Sequence, residues 1–114
     1  MSEARMPTPP ELVELVSDAV FVLDRHGRLL FCSRAAEPLL GFKTDELHGS
    51  YMIEHVHPED RGHTLNQVWQ VMNSNGAVHF DNRWLHKDGH DVPIHWASRW
   101  SERHQVRVAV ARAG

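Results

Sequence analysis

The feature that most narrows the possible folds is the run from Ala77 to Trp100. Apolar and polar residues alternate there on both sides of a tight-turn sequence, His86-Lys87-Asp88-Gly89. Successive side chains of a strand point to opposite faces, so the pattern predicts two antiparallel strands, about Ala77–His86 and about Asp91–Trp100. Val78, Phe80, Asn82 and Trp84 share one face of the first strand, and Val92, Ile94, Trp96 and Ser98 share one face of the second. The hairpin holds three of the chain's four tryptophans, and each indole can bury roughly 150–250 Å². One face therefore has to be covered by other parts of the chain. A third strand at about Val106–Arg112 follows a polar loop and sets Val106, Val108 and Val110 against Arg107, Ala109 and Ala111. The inner sheet face is expected to carry no charged side chain.

Upstream, Thr8 reads as a helix N-cap, with Pro9 in the first turn and Glu11 closing a capping box. Leu12, Leu15, Val16 and Ala19 then repeat at helical spacing. AVFVLD and RLLFCS read as two strands about a turn at Arg25–Gly27, and Pro38 and Gly41 break the next segment into short helical pieces. The clearest start signal is HPED, where Pro58 takes a first helical position and Glu59 and Asp60 suit a helix N-terminus. Leu65, Val68, Trp69 and Met72 form an i, i+3, i+4, i+7 stripe, which predicts a helix at about Pro58–Ser74 with those residues facing inward. Two strands, a helical middle and three strands point to an α+β domain with one antiparallel sheet covered on one face. Residues 1–8 read as a tail and 9–114 as a single domain.

Charge and cysteine content exclude several functions. Net charge is −3 with no block of Lys or Arg, which argues against nucleic acid and anionic membrane as partners. No segment approaches the ~18 apolar residues of a membrane span, and Cys32 is the only cysteine, so an intrachain disulfide is impossible. A cytoplasmic setting is expected. The ten histidines would carry the charge from −3 to +7 if all were protonated.

DAVFVLDRHGRLLFCSRAAEPLLGF, then HPEDR, then FDNRWLHKDGHDVPIHWASRW resemble the PAS sensory domain family in order and spacing. The resemblance runs from about Pro9 to Ala113. It implies a five-stranded antiparallel sheet with helices enclosing a small cavity. It also implies signal sensing within a larger protein, often a histidine kinase, a cyclic-di-nucleotide enzyme or a transcription regulator. The chain ends at RVAVARAG, where relatives usually continue into a linker to the effector, so it reads as a domain excised from a longer signalling protein.

The family's cofactor subtypes can be compared residue by residue. The blue-light flavin subtype carries a reactive Cys in an Asn-Cys-Arg motif at the start of its long helix; here that region is HVHPEDRGH, and Cys32 lies on a predicted strand. The haem subtype uses a His on the long helix. At about 100° per residue His63 lies about 140° from Val68 and 180° from Met72, pointing to water, while Arg61 and Leu65 face inward. In cofactor-binding relatives the positions matching Asn82, Trp84, Ile94 and Trp96 face the ligand. Flavin relatives place amides at those matching Trp84 and Ile94, which are apolar here. Neither haem nor flavin is expected.

His55, His57, Asp60 and His63 could suggest a metal site, but a helix start would scatter them, with His57 as the cap, and none is expected. No serine sits in a nucleophile elbow and no glycine-rich loop cradles phosphate, so the chain is not expected to be an enzyme on its own. The leading reading is a sensory domain. It would hold a small apolar or aromatic molecule among Trp69, Met72, Trp84, Ile94 and Trp96, with Asn82 as the one polar anchor. The alternative is a ligand-free dimerisation and interaction module whose cavity is filled by tryptophans. In either case Leu12, Leu15 and Val16 are expected to mediate a homodimer, and an effector domain is expected in the parent protein.

Overall fold

The computed structural model describes residues 6–114; residues 1–5 of the expected tail lie outside them. In chain order the elements are α1 (Pro9–Leu15), β1 (Ala19–Asp24), β2 (Leu29–Cys32), α2 (Ala36–Leu40), α3 (Thr44–Leu47), 3-10 turns at Met52–Glu54 and Pro58–Asp60, α4 (Arg61–Met72), β3 (Val78–Leu85), β4 (Asp91–Ser101) and β5 (Val106–Ala113). The strands form one five-stranded sheet in the order β2-β1-β5-β4-β3, and every neighbouring pair is antiparallel. This is the α+β architecture that the alternating hairpin and the two-plus-three strand count predict.

Register explains the core. Phe80 lies opposite Trp96, Asn82 opposite Ile94 and Trp84 opposite Val92, so both expected inner faces meet on one side of the sheet. On β5, Ala111 lies opposite Trp96 and Ala109 opposite Ser98. These small side chains leave room for the indole. Phe21 on β1 completes an aromatic cluster, with its ring centroid 5.7 Å from Trp84 and 5.3 Å from Trp96. The same alternation turns Arg107 inward together with Ala109 and Ala111, and Arg107 is only 3% exposed. The expectation of an uncharged inner face is therefore corrected. Alternation is rigid along β5, so placing Ala109 and Ala111 on the inner face forces Arg107 inward as well.

The capping box of α1 forms as read: Glu11 N–H donates to Thr8 Oγ1 and Thr8 N–H to Glu11 Oε1. Ala19, grouped with the helix by spacing, instead opens β1 and is buried. Pro38 sits in α2, which stops at Gly41, where φ is +79°. This left-handed conformation favours glycine, and a Cβ there would also meet the His86 ring, which would have to shift.

The helix predicted at Pro58–Ser74 starts with a 3-10 turn and ends at Met72. His57 caps it as expected, its Nδ1 accepting from Glu59 N–H at 3.0 Å. The buried residues of α4 are Thr64 and Val71. Leu65 and Trp69, expected inward, are exposed, Trp69 by 65%; Arg61 is exposed as well, and so is His63, as the wheel has it. The stripe is thus rotated. Its start is fixed by a fork: Arg83 on β3 donates from Nε and Nη2 to the two oxygens of Asp60, at 3.0 and 2.7 Å. No helix among the described residues is long and apolar enough to cross a membrane.

The hydrogen bonds from Arg83 hold the Asp60 carboxyl at about 2, below its ordinary 3.8. A folded-state value below the unfolded one stabilises the fold above the unfolded pKa, and that stabilisation is lost as pH falls through the folded value. Asp60→Asn should therefore lower stability in urea titrations at neutral pH. The gap from the parent protein should close as pH falls from about 4 to about 2; a constant gap would contradict the fork's role.

Candidate functional site

Between the sheet's inner face and the helices lies a cavity of about 10 Å³, lined by Phe21, Leu29, Met52, Trp84, Trp96 and Arg107 among others. That is room for about one water molecule. Of the six residues expected to line a ligand site, Trp84 and Trp96 border this cavity, while Asn82 and Ile94 are buried on the same sheet face. Met72 lies elsewhere, in a groove on the helix side. Trp69 joins none of them and points to solvent.

Asn82, expected as the polar anchor for a ligand, is engaged by the protein. Its Oδ1 accepts from Trp96 Nε1 at 2.7 Å, and its Nδ2 donates to Thr64 Oγ1 at 3.1 Å. This buried chain joins β4, β3 and α4. The indole N–H of Trp84 has no acceptor among the described residues. A buried donor in that state is uncommon and costs the desolvation of its polar group.

His55, weighed in the sequence only as part of a metal quartet, is half-buried against the core. Its ring stacks on Trp84 with centroids 5.3 Å apart and meets Phe42 edge-on. Ser50 Oγ donates its hydrogen to Leu47 O at 2.6 Å and lies 2.8 Å from His55 Nε2. The hydroxyl has one proton, so Nε2 must donate to it, which fixes the tautomer. Burial pushes the imidazole below 6.5. Its contribution to stability is accordingly present above pH 6.5 and is lost on acidification.

A larger opening of about 150 Å³ lies between the β1–β2 turn and α4, lined by Asp24, Arg25, His26, Gly27, Met52, Ile53, Leu65, Val68, Met72 and Arg107. Met52 and Arg107 border both this groove and the inner cavity. Arg107 Nη2 donates to the Met52 sulfur at 3.6 Å, and burial lowers the guanidinium to about 10, leaving it protonated at neutral pH.

Elsewhere, burial pushes the Cys32 thiol up to about 11, a value that disfavours the nucleophilic thiolate. The quartet His55, His57, Asp60 and His63 is not brought together: the first stacks on Trp84, the second caps, the third binds Arg83 and the fourth is exposed. The described residues instead bring His86, Asp88 and His90 within 4.8 Å of one another in the β3–β4 turn. The alternating His-x-Asp-x-His spacing was the available signal. Asp88 already accepts there from the backbone N–H and the ring of His90.

Comparison with known proteins agrees with this architecture. The family model described as PAS fold matches residues 29–110. The chain belongs to the PAS-fold family. It is 28% identical over 81 residues to the White collar 2 protein of Neurospora crassa, a match covering 71% of this chain and 15% of that protein. Among solved structures, a PAS domain from Colwellia psychrerythraea superposes with a TM-score of 0.79 at 24% identity, covering 90% of each chain. A domain of a sensory box sensor histidine kinase/response regulator from Geobacter sulfurreducens gives 0.76 at 16% identity, covering 89% of this chain and 87% of that one.

Trp84 is fully buried, so Trp84→Ala should cost about 3–5 kcal/mol in chemical denaturation. It should also open an apolar hole that takes up benzene or indole, which the parent protein does not bind. A cost below about 1 kcal/mol would contradict this placement of the ring.

Proposed function

We propose that this chain is a sensory and relay domain that pairs with a second copy of itself and passes a signal to an effector elsewhere in a longer polypeptide. Uncovered apolar surface carries the reading. The sheet's outer face ordinarily alternates to polar residues when it faces water. Here Phe31, Val22 and Val108 are successive cross-strand neighbours on that face, and Val20 and Val110 pair beside them. Phe31 and Val108 are exposed, as are Leu12, Leu15 and Val16, and α1 buries no residue of its own. An isologous pair would cover both surfaces at once.

Membership of the PAS-fold family supports the relay role, as does the likeness to a domain of a sensor histidine kinase. The chain spans 15% of the White collar 2 protein, so a domain of this kind can be one part of a much larger chain. On this reading catalysis belongs to the effector and neither haem nor flavin is a cofactor. The filled interior favours a relay that works without a ligand at the centre. A small apolar or aromatic molecule among Trp84, Ile94 and Trp96 would first have to displace an indole.

Light scattering of the 114-residue chain should give twice 13.1 kDa. Leu15→Glu combined with Val108→Glu should give the monomer without loss of fold by circular dichroism. A monomer at millimolar concentration, unaffected by these substitutions, would refute the pairing.

A further inference from the structure

We propose that the groove between the β1–β2 turn and α4 binds the carboxylate of a small organic acid, with Arg107 at its floor as the recognising group. This extends the sensory role proposed for the domain by naming the chemistry of what is sensed.

Arg107 is 3% exposed, yet its only side-chain hydrogen-bond partner among the described residues is the Met52 thioether, 3.6 Å away. A thioether is a weak acceptor, whereas a guanidinium carries five donors and keeps its charge. Buried charges are ordinarily paired, because leaving one unpaired is costly. Five Arg or Lys contacts with carboxylates and four histidine–carboxylate contacts occur among the described residues, and none involves Arg107. Asp24, the one carboxylate at the groove, accepts at Oδ1 from the backbone N–H of His26 and of Arg28, at 2.8 and 3.0 Å, and forms no hydrogen bond or ion pair with Arg107. The other charged or titratable groups lining the groove are Arg25 and His26. No described residue supplies the counter-charge, which leaves the groove open to a bound anion.

The shape of the site narrows what supplies it. The groove holds about 150 Å³, against about 10 Å³ for the inner cavity. Ile53, Leu65, Val68 and Met72 make its sides apolar. A planar carboxylate matches the guanidinium fork with two parallel hydrogen bonds, and a short alkyl or aryl tail suits the walls. A polyphosphate would set further charge against those apolar sides. Because Arg107 and Met52 also wall the inner cavity, an acid drawing the guanidinium outward would loosen the partition beside Trp84 and Trp96.

The test is calorimetry and thermal unfolding of the 114-residue chain with hexanoate and benzoate, compared with hexanamide and benzamide. The acids should bind and raise the melting temperature, and the amides should do neither. Arg107→Met should fold, since it removes an unpaired buried charge, and should bind the acids roughly tenfold to a hundredfold more weakly, as expected for losing a charged hydrogen bond. If that variant does not fold, Leu65→Glu decides: a carboxylate at the exposed rim should weaken acid binding while leaving the fold intact. Equal binding of acids and amides, no binding of either acid at millimolar concentration, or unchanged acid binding by both folded variants would overturn the site. A chain that pairs but binds no acid refutes this site alone; one that binds the acid through Arg107 but stays monomeric refutes the pairing alone.

Discussion

Trp96 donates its indole hydrogen to Asn82, and Asn82 donates in turn to Thr64. The rest of the domain is arranged around this buried polar chain, because each of its groups would be costly to leave unpaired. The amide on β3 can be satisfied only if α4 presents its single inward hydroxyl, and that fixes the rotation of the helix. Thr64, Val68 and Val71 then fall within about 60° of arc on the inner side, and Trp69 lies about 140° from Thr64. The Asp60–Arg83 fork holds the first turn of the helix in the same setting. Hydrophobic burial alone would have turned the larger residues inward.

This is also why the sequence shows the sheet so much better than the site. Strand alternation has a period of two, and a one-residue slip would expose every inner residue, so β3, β4 and β5 are legible from the residues themselves. Thr8, His57 and Gly41 likewise report their caps and turns through local chemistry. Helix orientation depends on a partner from another element. Leu65, Val68, Trp69 and Met72 form a clean stripe, but Asn82 outweighs it, and Thr64 gives no signal until the amide is known to be buried opposite. Arg107 was readable in principle, since β5 alternates without a break. A charged residue facing inward simply runs against the usual composition of a core. His55 stayed hidden because its stacking on Trp84 comes from the loop before α4, where no periodicity applies.

The resulting molecule divides its roles between two faces. The helical side holds a nearly filled aromatic interior and, outside it, a groove bordered by a buried cation that forms no ion pair among the described residues. The opposite side of the sheet and α1 expose valines, leucines and a phenylalanine that water does not favour. Arg107 belongs to β5, whose outward residues Val108 and Val110 lie on that exposed face. A displacement of Arg107 in the groove therefore has a short physical route to the surface proposed for pairing, along one strand that is paired on both sides.

Hydrogen exchange at the four indole nitrogens, followed by NMR, tests the polar chain and the helix rotation together. Trp96 and Trp84 should exchange slowly, the first because it is buried and bonded to Asn82 and the second because it is fully enclosed. Trp69 should exchange at once, like a free indole, and Asn82→Ala should release Trp96 from protection while leaving Trp69 unchanged. A protected Trp69 beside a freely exchanging Trp96 would mean that α4 presents its large apolar stripe inward, and that the Trp96–Asn82–Thr64 chain does not set the rotation of the helix.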